Sequence, residues 1–111
     1  MVGKVKVIIT PKVIDYLDDL VRILYKEEYF GFIESAEGYV IKIYDAIDEN
    51  IKLNIHKSTP KSLQYQGSSY VFYKSNKRTT WYIFFEKKNH NYLITGIINN
   101  HCEEAKDLLQ Y

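Results

Sequence analysis

The segment at positions 70–101, YVFYKSNKRTTWYIFFEKKNHNYLITGIINNH, consists of three aromatic-rich runs joined by two short basic turns and closed by a histidine. β-Branched and aromatic residues fill the runs, and Ser, Asn and Lys fill the joints, so the segment reads as an antiparallel meander. Its charge is as uneven as its composition. Residues 52–91 hold eight Lys/Arg (Lys52, Lys57, Lys61, Lys74, Lys77, Arg78, Lys87, Lys88) against a single acid, Glu86, for a net charge of +7. Residues 1–51 carry −4 and residues 92–111 carry −2, so the total of +1 hides a polarised chain. A sheet with positive turns suits a phosphate backbone or an acidic protein, and the plain alternative is a set of solvated lysines.

Upstream of the meander, Lys4 and Lys6 alternate with Val5, Val7 and Ile9, the period of a half-buried strand. Thr10-Pro11 then offers a capping hydroxyl and a proline at the first helical position, where its missing N–H is harmless. The spacing predicts a helix from there to about Glu28, with Ile14, Leu17, Val21 and Leu24 as its apolar stripe, widened by Val13 and Leu20. Asp15, Asp18, Asp19, Arg22 and Lys26 fall on the wet side. Tyr29–Phe32 makes the turn into a second amphipathic helix from about Ser35, with Tyr39, Val40, Ile43, Ile47 and Ile51 facing inward. The stretch 54–69 contains Pro60 and Gly67 among Ser, Lys and Gln, and reads as a connection pinned by Leu63 and Tyr65.

The expected architecture is α+β in a single domain over residues 1–111: strand, two-helix hairpin, three-strand antiparallel meander, short C-terminal helix at 103–109. In the middle strand of the meander, Thr79, Trp81, Ile83 and Phe85 share one face and Arg78, Thr80, Tyr82, Phe84 and Glu86 the other. Both faces are apolar. One packs on the hairpin; the second is either covered by the C-terminal segment or presents rings on which RNA bases can stack.

The sequence has no apolar run of about 18 residues, so a cytoplasmic protein without a membrane contact is expected. The lone Cys102 fits a reducing compartment and reads as a small apolar residue before a nucleophile. His56, His90 and His101 are too widely spaced for a metal motif, and no Gly-rich phosphate loop is present, so no metal and no cofactor are expected. Glu86, flanked by Lys87 and Lys88, reads as an ion-paired turn residue before a base.

In this order of elements, KRTTWYIFFEKKNHNYLITGIINNH (77–101) resembles the arginine-led third strand, turn and final strand of the RelE/ParE superfamily, and VIITPKVIDYLDDL (7–20) resembles its opening strand and first helix. The superfamily comprises toxins of bacterial type II toxin–antitoxin modules, some of them ribosome-dependent mRNA endonucleases and others poisons of DNA gyrase. The resemblance implies a growth-arresting toxin with a cognate antitoxin as partner, acting on ribosome-bound mRNA without a metal or, alternatively, on gyrase without catalysis. Arg78 matches the third-strand arginine, which implies phosphate binding. His101 lies where nuclease members place a catalytic or phosphate-binding side chain, its other reading being a cap before the C-terminal helix. Tyr82 is a further candidate in the catalytic set, and Lys74, Lys77, Lys87 and Lys88 are candidate nucleic-acid contacts. Val71, Phe72 and Tyr73 stand where potent nucleases carry basic residues, which also keeps open a binding module that has lost activity.

Overall fold

The computed structural model describes residues 6–26, 33–53, 56–75 and 77–108. β1 (Lys6–Ile9) leads into α1 (Pro11–Lys26) and α2 (Ile33–Lys52), followed by β2 (Lys57–Ser58), β3 (Ser69–Lys74), β4 (Thr80–Lys88) and β5 (Asn91–Asn99). Short 3-10 helices occupy Lys61–Leu63 and Glu103–Leu108. The strands form one five-stranded sheet in the order β1-β5-β4-β3-β2. β3, β4 and β5 are the expected antiparallel meander, and β1 runs parallel to β5 at the edge. The architecture is therefore α+β. The two-residue β2 was not expected. The helix end near Glu28, the turn at 29–32, the side chains of Leu24 and Lys26 and position 109 lie outside what is described.

Alternation along β4 creates two cores, one on each face of the sheet. Trp81, Ile83 and Phe85 join Val13, Leu17 and Leu20 of α1 and Val40, Ile43, Ile47 and Ile51 of α2 in the helix-side core. The buried stripe of α1 is thus centred on Val13, Leu17 and Leu20, whereas Ile14, expected within it, is 38% exposed. The second face carries Tyr70, Tyr82, Phe84 and Ile98, packed with Leu63, Ala105 and Leu108. The expected cover, the C-terminal segment, is joined by the connection through Leu63, which was not expected there, and the Ser62 hydroxyl donates to the Asp107 carboxylate to link the two. Phe84 is fully buried and Tyr82 is 6% exposed, so these rings are not stacking platforms. Covering each contributes about 1.5–3 kcal/mol that exposure to a ligand would forgo.

Leu63 pins the connection as expected, but Tyr65 does not, being 67% exposed. Gly67 takes that role by close approach: a Cβ there would come within 2.8 Å of the Phe85 backbone nitrogen, so only glycine lets the connection lie against β4. A bulge next to it, where Phe85 pairs with Ile94 and Phe84 with Gly96, leaves Thr95 as the extra residue, and the Thr95 hydroxyl donates to the Gln66 carbonyl.

Thr10 departs from its expected role. Its hydroxyl donates to the Ile94 carbonyl at 2.7 Å, and its own carbonyl accepts the first helical bonds from the Val13 and Ile14 N–H groups. A strand partner placed by the parallel pairing has captured the side chain that local sequence assigns to the cap. His56 closes the other helix, with Nε2 2.8 Å from the Ile51 carbonyl and its ring edge-on to Phe85 at 4.8 Å. No helix among the described residues is long and apolar enough to cross a membrane.

Candidate functional site at the β3–β4 rim

The β3–β4 turn and the exit of β5 meet at one end of the sheet because β4 and β5 are paired up to Trp81 and Asn99. Beyond that pair a polar clasp continues the ladder. The Asn100 N–H donates to the Thr80 carbonyl at 3.0 Å, the Thr80 N–H to Asn100 Oδ1 at 2.9 Å, and Asn100 Nδ2 to the Arg78 carbonyl at 2.9 Å. The Asn99 carboxamide oxygen accepts the His101 N–H at 2.8 Å, and His101 Nε2 lies 3.2 Å from the Thr79 hydroxyl. Arg78 and His101 are thereby held at the same rim of two adjacent strands, both exposed. Lys74, opposite Thr80 at the end of β3, and Lys77 in the turn are exposed beside them.

The turn itself is tied to α2. The Trp81 indole N–H donates to the Tyr39 hydroxyl at 3.0 Å, which lies 2.9 Å from Ser75 Oγ, and the Ser75 N–H donates to the Thr79 carbonyl at 3.0 Å. Tyr39, Ser75, Thr79, Asn99 and Asn100 were not among the expected site residues. The Asn-Asn pair before His101 is a turn-former signal whose side chains seek backbone groups, and it was the available clue.

Two sets of candidates lie elsewhere. Lys87 and Lys88 end β4, Lys88 eight residues on from Thr80, which puts it roughly 26 Å from the start of the strand at the Arg78 rim at about 3.3 Å per residue. Lys74, Lys77 and Arg78 are therefore at one end of the sheet and Lys87 and Lys88 at the other, so the basic residues of 52–91 do not form one surface. Tyr82 belongs to the outer-face core, with the Tyr70 ring edge-on at 6.1 Å, and burial pushes its phenol above the ordinary value of 10.0. It stays neutral at physiological pH and packs. Glu86 is not an ion-paired turn residue: its carboxylate accepts from the Ser68 N–H and hydroxyl, fastening the connection to β4. Cys102 packs half-buried against the outer-face core, with Sγ 3.7 Å from Asn99 Oδ1.

A cleft of about 480 Å³ between α1 and β5 is lined by Lys12, Asp15, Tyr16, Asp19, Gln66 and Ile97. Two carboxylates against one lysine repel phosphate, so the anion-binding chemistry belongs to the rim and not to this cleft. Among the described residues no group of three or more His, Cys, Asp and Glu is placed to hold a metal ion. Compared with known proteins, the chain matches no family model, no curated protein and no solved structure at a significant level.

Proposed function

We propose that the protein is the toxin of a type II toxin–antitoxin module and a metal-independent, ribosome-associated mRNA endonuclease of RelE/ParE type. What supports this reading is the clasp that holds Arg78 and His101 at one rim, with Lys74 and Lys77 beside them. The order strand, two helices and meander, on which the resemblance was drawn, supports the same reading. RNA cleavage of this kind needs a base for the 2′-hydroxyl, a cation against the charge developing on the phosphate and an acid for the leaving oxygen. Arg78 supplies the cation. His101, whose imidazole has one nitrogen that can donate a proton and one that can accept it, moves the proton. Thr79 and Asn99 orient the imidazole and its backbone.

The alternative is a non-catalytic toxin that occupies DNA gyrase, and it draws support from apolar side chains left exposed on the helices, Ile23 at 50% and Ile41 at 58%. Primer extension on cellular mRNA after induced expression separates the two. Cleavage ends that map within translated frames are the expected result; intact mRNA with arrested gyrase complexes would replace the nuclease by the gyrase poison. A cognate antitoxin is the expected partner, with acidic groups against Lys74–Arg78, so the complex should weaken as salt rises.

A further inference from the structure

We propose that the β4–β5 turn end of the sheet is a second phosphate-binding surface, built on Lys6 and Lys88 of the outer face with His90 in the adjoining turn, which holds the backbone of single-stranded RNA away from the Arg78–His101 rim. The inference rests on the RNA reading above and adds a separate point of attachment to it.

The register carries the argument. Lys6 pairs with Asn91 in the β1–β5 ladder, and Lys88 pairs with the same Asn91 in the β4–β5 ladder. Residues in one row across neighbouring strands project from the same face. That face is the outer one, because Val7 and Ile9, which alternate with Lys6, pack against the helix-side core. Two strand spacings separate the lysines, about 10 Å, which is close to the Debye length at physiological salt. Lys6, Lys87, Lys88 and His90 are all exposed. Asn89, at φ 58°, makes the tight turn that sets Lys88 and His90 on either side of it.

Among the described residues no ion pair closes on Lys6 or Lys88. Glu86, two residues before Lys88 on the same face, forms no ion pair with it, its carboxylate accepting from Ser68, so it offsets the row's charge only in part, and the salt bridge Lys52–Asp48 is elsewhere. Lys87, between Glu86 and Lys88, projects from the opposite, helix-side face over the Tyr92 ring at 5.6 Å and is not part of the row. A lysine on an edge strand guards against strand pairing, which accounts for Lys6 but not for Lys88 on the interior strand β4. A polyanion relieves the repulsion and releases counterions. A nucleic-acid strand is favoured over an acidic protein because the cationic groups lie at both ends of β4: a continuous phosphate chain engages both, and the second contact forms at high effective concentration.

The test is fluorescence anisotropy with a uridine homopolymer of about 20 nucleotides, without ribosomes, over a salt series. Wild type is compared with Lys6→Gln/Lys88→Gln, with the charge-reversed K6E/K88E, and with Arg78→Ala/His101→Ala as the change at the other end. Thermal unfolding checks that each is folded, and single K88Q stands in should a double variant unfold. Loss of two contacts should weaken binding on the order of tenfold and reduce the slope of log affinity against log salt by about 1.4, at about 0.7 per phosphate contact on a single strand. Charge reversal should weaken it further. The same affinity and slope in wild type and the lysine variants would overturn this surface while the RNA reading stood. No RNA binding by wild type at low salt would overturn both. Lysine-dependent binding of polyglutamate in place of RNA would reassign the surface to an acidic protein.

Discussion

His101 Nε2 lies 3.2 Å from the hydroxyl oxygen of Thr79, linking the residue two past the end of β5 to the one just before β4. Neighbouring strands alone do not guarantee this, since both residues lie outside the ladder. The Asn99 and Asn100 side chains make it possible by bonding to backbone groups that the ladder no longer pairs.

If that rim is catalytic, its members contribute unequally. Arg78→Ala and His101→Ala should each reduce mRNA cleavage by on the order of a hundredfold or more, the usual effect of losing a charge-stabilising group or a positioned acid or base. Thr79→Val should cost less than His101→Ala, because it removes only the orienting bond. Growth arrest on induced expression reports the same activity. Undiminished arrest in the Arg78→Ala/His101→Ala double variant would move the function away from this rim.

The tie between the turn and α2 can be weighed with a double-mutant cycle on Tyr39 and Trp81. Tyr39→Phe leaves the indole N–H without its acceptor and should cost about 1–3 kcal/mol, whereas Trp81→Phe removes the donor along with part of the packing. Urea denaturation gives the coupling. Additive losses would show that the 3.0 Å contact contributes nothing to stability.

The outer-face core predicts a sharp contrast between two aromatic residues. Phe84→Ala should destabilise by about 3–5 kcal/mol, as expected for a fully buried ring. Tyr65→Ala should change stability by less than about 0.5 kcal/mol, the usual range at an exposed position. Equal shifts in the denaturation midpoint would mean that the second face is not a core.

Alkaline pH should unfold the protein through its tyrosines. Tyr16, Tyr44 and Tyr82 are all raised above 10.0, in each case chiefly by burial, with Cys102 and Tyr39 adding to the effect at Tyr16 and Asp18 at Tyr44. Above 10.0 the unfolded chain has begun to lose protons that the folded state keeps. The folded state then binds more protons, and stability falls as pH rises through the folded values. The contribution is fully present below 10.0. Tyr16→Phe should flatten this fall without altering the pH dependence near neutrality, as chemical denaturation on either side of 10.0 would reveal.

Much of the architecture was legible because short-range periodicity determines it. Alternation in β1 and β4, the helical spacing of Val40, Ile43, Ile47 and Ile51, and Pro11 at a helix start are local statements, and each stands in the fold. The errors occur where a distant partner competes for a side chain. Thr10 was assigned to its own helix and bonds to Ile94; Glu86 was assigned to neighbouring lysines and holds Ser68; Tyr65 was assigned to the core position that Gly67 enables.

The same division separates the elements of this protein from its sites. Its sequence by itself determined which residues form strands and helices, which side of β4 each ring takes and how strongly basic the 52–91 region is, since these depend on spacing and composition. Only the tertiary structure decided that Tyr82 and Phe84 are covered, that Arg78 and His101 share a rim, and that Lys87 and Lys88 stand with Lys6 at the opposite end. Those relations follow from strand order and register, which pair residues up to 85 positions apart, as Lys6 with Asn91, a separation that no local pattern encodes.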